Sequence, residues 1–499
     1  MHQLVACLVI LGLLGPVRDA RAWQEEGAAS IAASPWVTRS CALAWHDDPE
    51  TATRTLLEDC TTDTPINVPG GWTFDGQGHT IWAVDPPGGR ILGGVIAISD
   101  SSAVHQLTID GTQLTAPCEP DGGRTALAGL LIDGAGSTIT SITVRNIRRA
   151  LPTGVATHSV QAQASCGDGL TVRGRDEPVF LDGNVIENVG DAGIFVDGGA
   201  VSIARSTIDR AAVFGIVAVR ARVRITPENR ITNGFVGIQL EDPGAVGRIA
   251  GSAIDGMTQA GIVVLSGAEA TVANNALTDI DGLGISVERP GSQAIVEQNT
   301  VARTATGVAA FGAEVRVTGN TVTGAHHGVV AREGASATLS QNTIERSSGI
   351  GVWITDPDTT ATIEGNTIAN TSSSGINVGH SASAVIEGNT IRGAINEGII
   401  IEFEGQARII DNQVINAEEV GISITHGSEV EVSGENLICG GKTGILIFLT
   451  DKKVTISGAV ILVRGKSISQ DADDQTTVTK SDATPEEAAA RCANAGVMR

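Results

Sequence analysis

Hydrophobic and polar positions recur along this chain with a period of about 23 residues. A Gly followed by an apolar, a variable and an apolar residue stands at Gly193, Gly215, Gly237, Gly261, Gly284, Gly307, Gly328, Gly351, Gly375, Gly398, Gly421 and Gly444. In phase with it runs Asn-x-apolar, at Asn184, Asn229, Asn275, Asn299, Asn320, Asn342, Asn366, Asn389, Asn412 and Asn436, with Ser206 and Ser252 filling the two gaps. A fixed period in this range marks a repeat architecture. Within each unit the alternation has period two. In GINV, Ile376 and Val378 share one face and Asn377 the other; in AVIEGNTI, Ala384 and Ile386 share a face, Glu387-Gly388 turns, and Ile391 points inward again. Short β-rich segments broken by Gly and Asn read as strands and turns.

Three short strands per unit make one turn of a parallel coil. Stacking the turns gives every backbone N–H and C=O a partner in the coil above or below. The repeated Asn is expected at a tight bend, where it tolerates the left-handed backbone and hydrogen-bonds the next Asn of the stack. Its column is therefore read as structural.

This pattern resembles the right-handed parallel β-helix repeat proteins, the pectate-lyase-like group that includes pectate lyases and polygalacturonases. The resemblance spans Val68 to Lys466. It implies an all-β solenoid of about 16 coils, a rod on the order of 75 Å at one strand spacing per coil. Both ends of such a rod need covers. In DDPETATRTLLEDC, Asp48 is expected to cap a short helix starting at Pro49, within an amino-terminal cap over 35–67. TFDGQGHTI, Thr73 to Ile81, resembles the entry coil of these proteins. At the far end, 467–499 reads as a polar connection and a helix capped by Thr484 with Pro485 in its first position.

The first residues, MHQLVACLVILGLLGPVRDARAW, have the layout of a secretory signal over 1–22, and 23–34 reads as a flexible leader. No later stretch is long and apolar enough for a transmembrane helix. Of seven cysteines, Cys7 lies in the signal and six remain. An even number in an oxidising compartment suggests disulfides. Nearest neighbours would pair Cys41–Cys60, Cys118–Cys166 and Cys439–Cys492, and spacing alone leaves the connectivity open. Secretion, to the periplasm or beyond, is the expectation. The net charge of −23 disfavours nucleic acid and anionic membranes as partners. It also repels anionic polysaccharides unless calcium or a local arginine cluster intervenes.

Aligned on the repeated Gly, most coils place small or bland residues on the outward face. Those from Gly328 to Gly421 instead present His326, His327, Arg332, Glu333, Trp353, Asp356, Asp358, Asn377, His380, Glu402, Glu404 and His426. Equivalent positions on stacked coils lie close together, with His380 and His426 two layers apart around Glu402 and Glu404. A flat apolar ring beside polar groups suits a sugar, so Trp353, Asn377 and His327 are the expected substrate-binding residues. His380 or His426 is the candidate base, Arg332 the carboxylate clamp, and Asp356 and Glu402 candidate acids. Asp356, Asp358 and Glu404 are the candidate calcium ligands, through carboxylate oxygens.

Absences narrow the mechanisms. The chain has no tyrosine and no lysine before Lys442, which removes Tyr-based acid–base schemes and a lysine base in the central coils. A lyase or epimerase would rely on His and Arg. A hydrolase would need two carboxylates about 5 to 9.5 Å apart, which Asp356 or Asp358 with Glu402 could supply. The N-T-D, D-D, G-H-G and R-I-K series by which polygalacturonases resemble one another is missing from the central coils. Asp356-Pro357-Asp358 lacks the His of the epimerase-like D-P-H-D, and Arg289-Pro290 is only a fragment of a pectate-lyase-like R-x-P-x-x-R. The expected function is a secreted protein that binds an extracellular polysaccharide or cell-surface glycan and, in its catalytic form, cleaves or epimerises it. The alternative is a non-catalytic binding or structural rod, an adhesin or accessory protein.

Overall fold

The computed structural model describes residues 39–118, 127–150, 166–174, 177–450, 452–470, 476–478 and 484–495. The expected signal and leader lie outside the described residues, as do Pro35 to Thr38 of the amino-terminal cap and much of the polar connection. The fold is a parallel β-solenoid of about 17 turns. One turn consists of Glu314–Thr318, Thr321–Thr323 and His327–Arg332. Each strand pairs in parallel with its counterpart one repeat later, as in Val315↔Ala337, Val322↔Ile344 and Val329↔Val352. The inward residues therefore stack like on like. Val317, Leu339, Ile363 and Ile386 form one buried column, and Val322, Ile344, Ile368 and Ile391 another. Each such side chain contributes about 1.5–3 kcal/mol of burial, which is how thin coils without helices sustain a continuous core.

The repeated Gly is a steric requirement. A Cβ on Gly375 would sit 2.4 Å from Ile391 Cγ2 and 2.6 Å from the carbonyl oxygen of Gly398. The column lets the strand press against the β-branched side chain of the neighbouring coil.

The Asn ladder forms as expected, with a change in backbone detail. The Asn342 Oδ1 accepts from both the backbone N–H and Nδ2 of Asn320, at 2.9 and 3.0 Å. Its own Nδ2 donates to Val317 O at 2.8 Å and to Asn366 Oδ1 at 2.9 Å. The same links run from Asn275 to Asn436, and Ser206 and Ser252 join through their backbone N–H groups. The left-handed residue, however, is the one before the Asn: Asn274, Gln298, Gly319, Gln341, Gly365, Gly388 and Asp411 all have φ between 53° and 63°. The Asn must enter the core to bond its neighbours, so the reversal falls on the residue that turns the chain inward.

The ends depart further from expectation. No helix starts at Pro49. Trp45–Asp48 and Thr53–Leu56 form an antiparallel hairpin, because the Asp48 carboxylate accepts from Glu50 N (3.0 Å) and Thr51 Oγ1 (2.8 Å) and closes a turn instead of capping a helix. Arg54 holds the hairpin through Asp47 (2.7 Å) and lies over the Trp45 ring at 4.3 Å. The parallel ladder already includes Thr53–Leu56 and Cys60–Thr62, and it continues through Lys466–Gln470 and Thr476–Val478. The solenoid thus extends past both expected boundaries, 68 and 466. The C-terminal helix, Pro485–Asn494, has the expected cap: Thr484 and Glu487 form a reciprocal capping box. It packs on Ile415, Leu437 and Val460. All three disulfides join nearest neighbours, Cys41–Cys60, Cys118–Cys166 and Cys439–Cys492.

Replacing Asn342 by Ala strands buried groups on the preceding coil, the Asn320 N–H and Val317 C=O among them. We expect Asn342→Ala to lose roughly 2–5 kcal/mol in urea unfolding, against less than about 0.5 kcal/mol for exposed Thr321→Ala. Cys439→Ala/Cys492→Ala should leave the coils folded while making Pro485–Asn494 the first segment released in limited proteolysis.

Candidate functional site

The strand that carries each repeated Gly turns three side chains outward: those two and four after the Gly, as the pleat dictates, and the one before it, because the alternation breaks at the Gly. In the coils from Ala192 to Ala309 these positions carry a second apolar cluster, separate from the core, containing Phe195, Phe214, Val217, Val263 and Leu283, with Phe235 and Phe311 packed against it. Small or bland outward residues are expected for these coils; the larger apolar side chains of Phe195, Phe214 and Leu283 stand among them.

The cluster ends in polar chemistry. Glu288, Phe311 and Arg332 are register neighbours on successive coils. The Arg332 guanidinium lies over Phe311 at 4.7 Å. Its Nε is 3.1 Å from Glu333 Oε1 without hydrogen-bond alignment and has no other partner. Glu288 accepts from Ser286 Oγ at 2.7 Å. Burial pushes its carboxyl above the usual range, with Glu333 adding to the rise, while Ser286, Arg289 and Arg332 oppose it.

The next coils bring four sequence-predicted residues into one chain of contacts. The His327 ring is 5.2 Å from Trp353. Trp353 is the register neighbour of Asn377, and Asn377 Nδ2 donates to Glu402 Oε1 at 2.8 Å. The Asn377 Oδ1 is buried without a hydrogen-bond partner. His327 Nδ1 accepts from Ile350 N at 3.2 Å, so the neutral ring carries its proton on Nε2. Burial first, and neighbouring His326 second, lower its pKa to about 4.

His380 and His426 lie at the turn beyond this strand, and their surroundings differ from the expectation. Phe403 stands between them, with ring centroids 4.9 and 4.8 Å away and interplanar angles of 16° and 23°. All three residues have left-handed backbone, φ 50°, 49° and 54°, which stacks their side chains at one bend. Glu402 faces Asn377 instead, and Glu404 accepts from Ser381 Oγ at 3.2 Å. Asp356 accepts from Glu333 N at 3.2 Å across the turn. Among the described residues no group of three or more His, Cys, Asp or Glu side chains is placed to hold a metal ion, so Asp356, Asp358 and Glu404 do not converge as a calcium set. Asp356 and Asp358 share one turn and Glu404 lies on another, two coils later; Asp356 and Glu404 accept hydrogen bonds from neighbouring turns. The sequence reading missed Glu288, Phe311 and Phe403. The first two were legible as the position four after Gly284 and Gly307, two coils and one coil before Arg332 respectively.

A family model described as "Right handed beta helix region" matches residues 128–301 and 306–461. No curated protein matches the chain in sequence. Among solved structures, the catalytic unit of a GH87 alpha-1,3-glucanase from Streptomyces thermodiastaticus is 12% identical, over 74% of this chain and 66% of that one, with a TM-score of 0.36. The A-module of the mannuronan C-5 epimerase AlgE6 from Azotobacter vinelandii is 12% identical over 84% and 91%, TM-score 0.24. The Vag8–C1 inhibitor complex contains a chain 15% identical over 85% and 99%, TM-score 0.44. These likenesses concern the fold alone. Among the described residues no helix is long and apolar enough to cross a membrane.

Because the His327 pKa is lower in the folded chain than the ordinary 6.5, the unfolded state binds more protons between about pH 4 and 6.5, and stability rises with pH through that window. His327→Gln should flatten this part of the stability–pH curve, measured as urea midpoints. An NMR titration should find the His327 ring neutral down to about pH 4.

Proposed function

We propose, from the premise that the chain belongs to the right-handed β-helix family, that it is an exported protein that holds a polysaccharide along the outward face from Glu288 to Glu402. The observation that carries this reading is the contact chain His327–Trp353–Asn377–Glu402, with the buried Asn377 Oδ1 left unpaired. Trp353 offers a ring face for a sugar. The Nε2–H of His327 donates, Glu402 accepts, and the buried, unpaired Asn377 Oδ1 would accept a hydrogen bond from a sugar hydroxyl that reaches it. Arg332, one coil before Trp353, would clamp a carboxylate or another acceptor. Three disulfides support an oxidising compartment.

In a catalytic version of this reading, Glu288 is the acid, since burial raises its pKa and favours the protonated form that can donate to a leaving oxygen. Arg332 would stabilise developing negative charge, and His380 or His426 would be the base reaching in from the turn. Asp356 would assist as a second carboxylate. A specific observation favours the non-catalytic rod as second reading. Among the described residues His380 and His426 pack on Phe403 and bond to no carboxylate, and His327 is held neutral with its Nε2–H free to donate.

Proton NMR of uronic-acid and neutral polysaccharides mixed with the protein tests both. Binding broadens the saccharide lines, and Trp353→Ala should weaken it about tenfold, the equivalent of one lost ring contact. No binding by any member of the panel, or binding indifferent to Trp353→Ala and Asn377→Ala, would sink the glycan reading. Appearance of unsaturated ends, reducing ends or altered epimer ratios selects the enzyme; binding without product selects the rod.

A further inference from the structure

The net charge of −23 conceals a local reversal. From Arg205 to Arg248, arginines outnumber carboxylates seven to four. Arg205 pairs with Asp182, Arg210 with Asp209, and Arg220 with both Asp197 and Asp242. Arg224 and Arg248 are different. Both are exposed, on the outward side of strands Arg222–Ile225 and Val246–Ala250. They are direct register neighbours, about 4.8 Å apart at the backbone. Among the described residues neither has an ion pair or side-chain hydrogen bond, although exposed Glu228 and Glu269 lie on adjoining positions. Like charges placed opposite each other on neighbouring strands repel, so the pair is a standing electrostatic cost that an anion between the two guanidinium forks would relieve.

We propose that Arg224 and Arg248 form a binding site for a linear polysaccharide carrying sulfate or carboxylate groups. The site lies on a different sheet from Trp353 and is independent of the function proposed for that face. Its column continues with side chains suited to sugar. Ser202 precedes Arg224 in register, and Thr271 and then exposed Ile295 follow Arg248. Hydroxyls and apolar surface thus flank the charges. A polysaccharide fits better than a nucleic acid. A duplex carries a negative charge every ~1.7 Å and would spread phosphates over the surrounding acidic surface. A glycan chain is narrow, its charges are sparse, and it can follow one column.

Calorimetric titration of the full chain with dextran sulfate and with neutral dextran, at low and physiological salt, tests the assignment. Dextran sulfate should bind, more weakly as salt rises, and neutral dextran should not bind at this site. Arg224→Ala/Arg248→Ala should lose about tenfold or more in affinity for dextran sulfate, with an unchanged urea midpoint showing an intact fold. Trp353→Ala should leave that affinity unchanged, which separates this site from the other face. No binding of dextran sulfate, or equal binding by the double variant, overturns the proposal. Arginine-dependent binding to vesicles rich in anionic lipid, without binding to dextran sulfate, would overturn the ligand class.

Discussion

Every coil of this protein must present its backbone to the coil above and the coil below in the same register. That single constraint organises the rest. A parallel ladder repeated about 17 times tolerates neither a slip nor a side chain that holds two layers apart, because one slipped residue would turn every inward side chain outward. Two columns enforce it. The repeated Gly removes the Cβ that would collide with Ile391-like neighbours at 2.4 Å. The Asn ladder supplies a buried acceptor for the N–H of the preceding coil, bond after bond near 2.9 Å. Buried amides of this kind are costly when unpaired and specific when paired, so they hold the register more strictly than apolar packing does.

The same constraint makes the outward face a surface composed one residue per layer. Residues 21 to 25 apart in sequence become neighbours: Glu288 with Phe311, Trp353 with Asn377, Asn377 with Glu402. The face changes character along the rod, from the apolar cluster around Phe195 and Val263 to the polar coils beyond Glu288. At that junction loss of water raises a carboxyl's pKa and lowers an imidazole's. A carboxyl that holds its proton more tightly and a neutral histidine with its Nε2–H turned to donate are hydrogen-bonding groups suited to uncharged hydroxyls. On the sheet that bears Arg224 and Arg248, the layer rule instead aligns two like charges.

Much of this was legible in the sequence. The period, the Gly and Asn columns and the solenoid express nearest-repeat interactions, written into each unit of about 23 residues, and the Thr484 cap of the C-terminal helix is a local one. Counting from the repeated Gly also brought His327, Arg332, Trp353, Asn377 and Glu402 onto one face. What failed was what depends on three dimensions at once. Asp48 had the sequence context of a helix cap, but the parallel ladder drew Thr53–Leu56 into a strand, and the carboxylate closed a hairpin turn. His380 and His426, either one a candidate base, stood two layers apart around Glu402 and Glu404, but the left-handed turn put the Phe403 ring between them, and Glu402 faces Asn377. Sequence determined the coil because periodicity encodes the contacts between identical layers. Only the tertiary structure decided which way each turn residue points and which groups lose their water, because those depend on the particular side chains of the coils above and below.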